Sequence, residues 1–204
     1  MNGLRSSLLG LAASLLLCGI TFAQNNPPAN ANTKSTANGG VATKDHDFMT
    51  KAAQGGMAEV QLGQLAQQNG ESQQVKDFGQ RMVTDHSKAN DELKQLATQE
   101  GVALPTSLDA KDEATMKRLE KLHGAAFDKA YMRDMVNDHR KDVAEFKHEA
   151  KTGNNQAVKD WASKTLPTLE SHLSEAEKVA PTAGAKSAMS ERNNNPSSTT
   201  AQQH

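Results

Sequence analysis

Between residues 45 and 180, apolar side chains return every three to four positions, the spacing that lays them along one face of an α-helix. The stretch is rich in Ala, Gln, Lys, Glu and Leu and has few β-branched or aromatic runs, which suits helices and not strands. Breaks in the pattern fall at Asn69-Gly70, from Gly101 to Pro105, and at Thr152-Gly153-Asn154. This punctuation predicts helices over 45–69, 72–100, 124–152 and 155–180, with a shorter one near 110–122. Two tight hairpins joined by a longer crossover follow from the spacing of the breaks.

Placing each helix on a wheel at 100° per residue sorts its faces. The first carries Phe48, Ala52, Gly55, Glu59, Leu62 and Ala66 along one stripe, the second Val75, Gly79, Met82, His86, Ala89 and Leu93. The third aligns Met132, Met135, Val136, His139, Val143, Phe146 and Ala150; the fourth aligns Val158, Trp161, Ala162, Thr165, Leu169, His172, Leu173 and Ala176. Each stripe thus contains one ionisable residue: Glu59, His86, His139 and His172. An unpaired polar group costs on the order of 1–3 kcal/mol to bury, and a charged carboxylate more. Four of them in one interior must satisfy one another or share a ligand. Counted from the hairpin tips, His86 lies four residues deeper than Glu59, and His172 four deeper than His139, or about 6 Å in each half. Side chains lean toward the helix N-terminus, which draws His86 toward Glu59 and His172 toward His139.

The architecture expected is all-α: a four-helix bundle of two antiparallel hairpins joined by a longer crossover, with a short extra helix, as in ferritin-like folds. Pro167 lies inside the fourth helix, where the missing backbone donor should kink it just before His172. Gly55 and Gly63 are places where helices can approach closely. An echo links Gln73-Gln74-Val75-Lys76-Asp77-Phe78 to Gln156-Ala157-Val158-Lys159-Asp160-Trp161, 83 positions on.

The ends change the picture of where the chain resides. A short n-region with Arg5, an apolar run from Leu8 to Leu17, and Thr21-Phe22-Ala23 before Gln24 read as a signal peptide over 1–23. Cys18 also resembles a lipobox cysteine, but Leu17 stands where a small residue is usual. Cleavage after Ala23 leaves no cysteine, hence no disulfide and no thiolate ligand. Segments 24–44 and 181–204 are low in apolar residues and are expected to be disordered around a 45–180 domain. With a net charge of −1, one Trp and one Tyr, the chain offers no nucleic-acid surface. No second apolar run approaches the roughly 20 residues of a membrane span.

The segments Phe48-Met49 through Ala66, Met82-Val83-Thr84-Asp85-His86, Tyr131-Met132 through Asp138-His139, and Leu166-Pro167 through Ser171-His172-Leu173 resemble a bacterial exported family, domain of unknown function 4142. Members are labelled outer-membrane or secreted proteins and assigned a ferritin-like bundle. The resemblance covers residues 45–180 and implies fold and export, not an activity. The chain departs from ferritin-like oxidases, which pair each histidine with a glutamate three residues before it. Here Val83 precedes His86 and Leu169 precedes His172, so both bridging carboxylates are missing.

Signatures of nucleophilic or phosphate-binding enzymes are lacking. Two functional readings stand. In the first, the bundle is a non-catalytic envelope or stress-related protein, located in the periplasm or at the outer membrane with an envelope protein as partner, and its histidines form a structural hydrogen-bond network. In the second, Glu59, His86, His139 and His172 hold Fe, Zn or Cu, with Met82 and Met135 as additional soft donors. Asp85 and Asp138, beside their histidines, read as solvated or salt-bridged groups, or as carboxylates that orient a metal-bound imidazole.

Overall fold

A computed structural model describes residues 41–183. The expected signal peptide with Cys18, and nearly all of segments 24–44 and 181–204, lie outside the described residues. Five helices follow in order: α1 (Thr43–Asn69), α2 (Gln73–Glu100), α3 (Ala110–Leu119), α4 (Gly124–Thr152) and α5 (Gln156–Val179). Their bounds fall within three residues of those the periodicity predicts. α1 packs along α2 and α4 along α5; α2 then meets α5 and α1 meets α4, closing an all-α, ferritin-like four-helix bundle. The short α3 lies on the crossover against α1 and α4.

Local chemistry sets the breaks. α2 ends at Gly101, whose φ of 68° is the left-handed region. Val102 N–H then reaches back to the Ala97 carbonyl at 2.8 Å in the six-to-one bond that closes a Schellman turn. α3 starts on Asp109, whose side chain accepts from Asp112 N–H at 2.8 Å. α5 runs through Pro167, which lies on the exposed face, so the unpaired carbonyl of Ser163 meets solvent. Close approach between α1 and α2 occurs at Gly63, where a Cβ would stand 2.5 Å from the Gly79 carbonyl oxygen. Gly55, the other position expected to allow it, faces open space; its neighbour Gly56 makes the close approach instead, where a Cβ would run into the Asn90 side chain of α2.

Each hairpin turn is tied down by the other hairpin. Asp128, near the start of α4, accepts the backbone N–H groups of Glu71 (3.0 Å) and Ser72 (2.8 Å) in the α1–α2 turn. Asp45, near the start of α1, accepts those of Asn154 (3.1 Å) and Asn155 (2.6 Å) in the α4–α5 turn. The equivalent residues stand 83 positions apart (45 and 128, 71 and 154, 72 and 155), the same offset as the echo between α2 and α5. The two halves are thus related by an approximate two-fold, and Asp45 and Asp128 satisfy turn amides that would otherwise be orphaned.

The interior divides in two. One apolar cluster gathers Leu62, Val75, Phe78, Met82, Tyr131 and Met135 near the α1–α2 turn. The other gathers Phe48, Leu93, Leu96, Phe146, Trp161 and Leu169 toward the opposite end. Between them, on every long helix, lies the polar residue that breaks the stripe.

Candidate metal centre

His86 on α2, His139 on α4 and His172 on α5 are all buried, at 7%, 0% and 0% exposure. One ring nitrogen of each lies within 4.8 Å of the other two. The ring centroids are 5.7 Å apart for His86 and His139, and 5.3 Å for each of the other two pairs. The helix register brings them level because each stands in the gap between the two apolar clusters.

Hydrogen bonds fix which nitrogen of two rings carries the proton. His139 Nδ1 lies 3.0 Å from the Met135 carbonyl oxygen, which can only accept, so Nδ1 holds the hydrogen and Nε2 a lone pair. His172 Nε2 lies 2.8 Å from Asp85 Oδ2. Partial burial alone would raise the Asp85 carboxyl, but hydrogen bonds from His172 and Arg81 outweigh it and hold it below its ordinary 3.8. Asp85 is therefore an anion, His172 Nε2 donates to it, and His172 Nδ1 is left with a lone pair. His139 Nε2 and His172 Nδ1 face each other at 3.3 Å. Two lone pairs point at one another. On the third ring, His86 Nε2 is buried with no hydrogen-bond partner among the described residues.

A proton shared between His139 and His172 would resolve the conflict, but the site resists one near neutral pH. Burial, and then the neighbouring His172, draws His139 down to about 4. Burial, followed by His139 and His172, holds His86 well below 6.5. Burial also lowers His172, against the hydrogen bond from its ring to Asp85. All three are neutral imidazoles in the state in which histidine binds metal.

Glu59 is buried too, but stands apart from the three-nitrogen group. Its Oε1 lies 3.8 Å from His139 Nδ1, on the side of that ring already bonded to Met135, and its Oε2 has no partner among the described residues. Burial, then the charges of Asp142, Asp138 and Asp112, raises it well above 4.5. Met82 and Met135 are fully buried in the apolar cluster on the α1–α2 side of the histidines. Asp138 pairs with Lys111 at 3.3 Å and Lys141 at 3.4 Å, not with a histidine.

Residues outside the four stripes complete the surroundings. Arg81, one turn before Asp85, donates to it at 3.3 Å and also reaches Glu175 and Ser171 on α5. The Arg81-x-x-x-Asp85 spacing is visible in the sequence as an (i, i+4) pair, but only the fold shows that it ends on His172. Tyr131 OH is fully buried without a partner among the described residues, and burial followed by the charge of Glu59 raises it well above 10.

The family profile described as Domain of unknown function (DUF4142) matches residues 30–179. The chain belongs to this family. Among curated proteins none matches it. Among solved structures, this DUF4142 chain is similar to a DUF305 fragment from Deinococcus radiodurans, with a TM-score of 0.62 and 12% identity over 70% of this chain and 99% of that one. It is also similar to a presumed secreted DUF305 protein from Streptomyces coelicolor, with a TM-score of 0.59 and 14% identity over 69% and 94% of the two chains. At such identities the likeness is one of fold. Among the described residues of this DUF4142 member, no helix is long and apolar enough to cross a membrane.

Proposed function

We propose that this chain is an exported, non-catalytic envelope protein whose bundle holds one transition-metal ion between His86 Nε2, His139 Nε2 and His172 Nδ1. The observation that carries this reading is the pair of opposed lone pairs at 3.3 Å between two buried rings. In a tetrahedral site with metal–nitrogen bonds of about 2.0–2.1 Å, neighbouring ligand nitrogens stand about 3.3 Å apart. A cation between the rings turns the least favourable contact of the core into its anchor. Three neutral imidazoles suit Zn, Fe or Cu(II), not the hard ions Ca and Mg. Asp85 on His172 and the Met135 carbonyl on His139 supply the outer hydrogen bonds that usually orient metal-bound imidazoles. Glu59, beside His139, supplies a negative charge to offset the ion, which would lower its own proton affinity on arrival.

Export rests on the leader-like residues 1–23 and the absence of cysteine after them, together with the presumed secreted neighbour of the same fold. Delivery to the periplasm or the outer membrane follows from that reading. The competing role, a purely structural histidine network, leaves His86 Nε2 and Glu59 Oε2 unexplained.

The test is direct. Full-length protein, processed in its host and dialysed against a chelator, is given Zn²⁺, Fe²⁺ and Cu²⁺ in turn. One ion per chain is expected, with a stabilisation of about 2.7 kcal/mol at a free concentration 100-fold above Kd. His86→Ala and His139→Ala should each abolish both. Absence of stoichiometric binding and of any thermal shift would leave the structural network as the answer.

A further inference from the structure

Beside His86 lies a cavity of ≈ 230 Å³ whose walls come from all five helices. A water occupies about 30 Å³ of liquid volume, so the space accommodates an ion with its inner waters. Its inner end is formed by Glu59 and His86, which bring to it Glu59 Oε2 and His86 Nε2; with Trp161 Nε1 these are the polar atoms of its walls that are buried without partners among the described residues. Its outer rim carries Asp109, Asp112, Asp138, Asp142 and Glu145, facing Lys51, Lys111 and Lys141. Lys111, on α3, bridges part of this rim by pairing with Asp138 at 3.3 Å and Asp112 at 3.7 Å.

We propose that this cavity is the passage by which a hydrated divalent cation reaches the three histidines, with Asp112 and Asp142 drawing it in at the rim and Glu59 receiving it at the inner end. The proposal rests on the metal-binding reading above and adds the route to it. Six carboxylates stand against three lysines around the cavity, and an excess of one sign of charge between low-dielectric walls concentrates ions of the opposite sign. Lys111 is the internal cation that an incoming ion displaces from these carboxylates. α3 and the crossover before it thereby have a purpose beyond joining the hairpins: they supply Asp109, Lys111 and Asp112 to the rim. Glu59 meets the ion where the rim carboxylates end and the imidazoles begin.

Trp161 is the only tryptophan in the chain and forms part of the cavity wall, so quenching of its fluorescence by Cu²⁺ reports arrival of the ion. Stopped-flow mixing of the metal-free full chain with Cu²⁺ at low ionic strength gives the association rate. Asp112→Asn with Asp142→Asn should slow association about tenfold, within the range found for steered binding. The deficit should close in about 1 M salt, where the screening length falls to about 3 Å. Lys111→Met should speed association severalfold. The control is Asp91→Asn with Glu177→Gln at exposed positions outside the cavity, compared at pH 8.5 where Asp142 is ionised and the charge change is equal, and its rate should stay within about twofold of the parent. One ion per chain bound equally fast by the rim variant and the control would overturn the passage and leave the metal site standing. Failure of the parent protein to bind any ion would overturn both.

Discussion

Replacing His86 with leucine separates a metal site from a structural network, because the two give opposite signs. His86 is 7% exposed, makes no hydrogen bond through Nε2 among the described residues, and faces two other neutral imidazoles. A buried polar group left unsatisfied costs about 1–3 kcal/mol. Leucine is close to histidine in volume, and such swaps cost under about 1.5 kcal/mol of misfit, eased here by the adjoining cavity. Without metal, the balance favours His86→Leu by about 1 kcal/mol, or a rise in melting temperature of about 3–5 °C for a domain of this size. With Zn²⁺ at 100-fold its Kd, the parent gains about 2.7 kcal/mol and the variant gains nothing, so the order reverses. Thermal unfolding followed by circular dichroism, in chelator and then in Zn²⁺, reads both. If His86→Leu proves less stable than the parent by 1 kcal/mol or more in chelator, the ring is meeting a structural need and the reasoning fails.

Three further outcomes follow from the same geometry. Asp85→Asn removes the anion that fixes the His172 tautomer; metal affinity, measured by competition with a chromophoric chelator, should fall 10–100-fold while the helical circular dichroism is retained. Acidification from pH 6.5 to about 4 should remove the histidines' contribution to the metal-free protein, because unfolded histidines take up protons there that the folded rings refuse; at about 1.4 kcal/mol per pH unit, the depression of His139 from 6.5 to about 4 is worth on the order of 3 kcal/mol. Glu59 and Asp142, raised by burial and neighbouring carboxylates, act in the opposite sense: their contribution is full in acid and is lost as pH rises, through about 7 for Asp142. Asp112 and Glu149 are raised as well, so the histidine share is read by comparison with His139→Leu in chelator: the parent should lose more stability than the variant from pH 6.5 to 4.5, and parallel losses would contradict it. Finally, Gly55→Ala should stabilise by about 0.5–1 kcal/mol through helix propensity, whereas Gly63→Ala should cost about 1–3 kcal/mol by pushing α1 from α2, both read from urea unfolding.

Periodicity and glycine punctuation made the helices legible in the sequence, since every long helix presents one mainly apolar face and α1, α2 and α4 each end at a glycine. The same wheels isolated Glu59, His86, His139 and His172 as misfits. What a wheel cannot supply is the slide of one hairpin against the other. Depth counted from each turn placed Glu59 toward His86 within the first hairpin; packing of α1 on α4 also sets its Oε1 3.8 Å from His139 Nδ1. Tautomers were equally hidden, because they depend on the Met135 carbonyl and on Asp85 reaching across from α2 to α5. Asp45 and Asp128 escaped notice for a simpler reason. Each serves a turn 109 or 57 residues away along the chain, and no local pattern marks such a clasp. The 83-residue echo between α2 and α5, with the equal four-residue offset in each half, was the trace of the two-fold that relates them.

The most direct measurement is an anomalous-difference map from crystals of the metal-loaded full chain, collected at the absorption edge of the bound ion. One peak is expected per chain, about 2.0–2.1 Å from His86 Nε2, His139 Nε2 and His172 Nδ1. A peak coordinated elsewhere, or protein that stays metal-free while the three imidazoles keep their present contacts, would contradict the account.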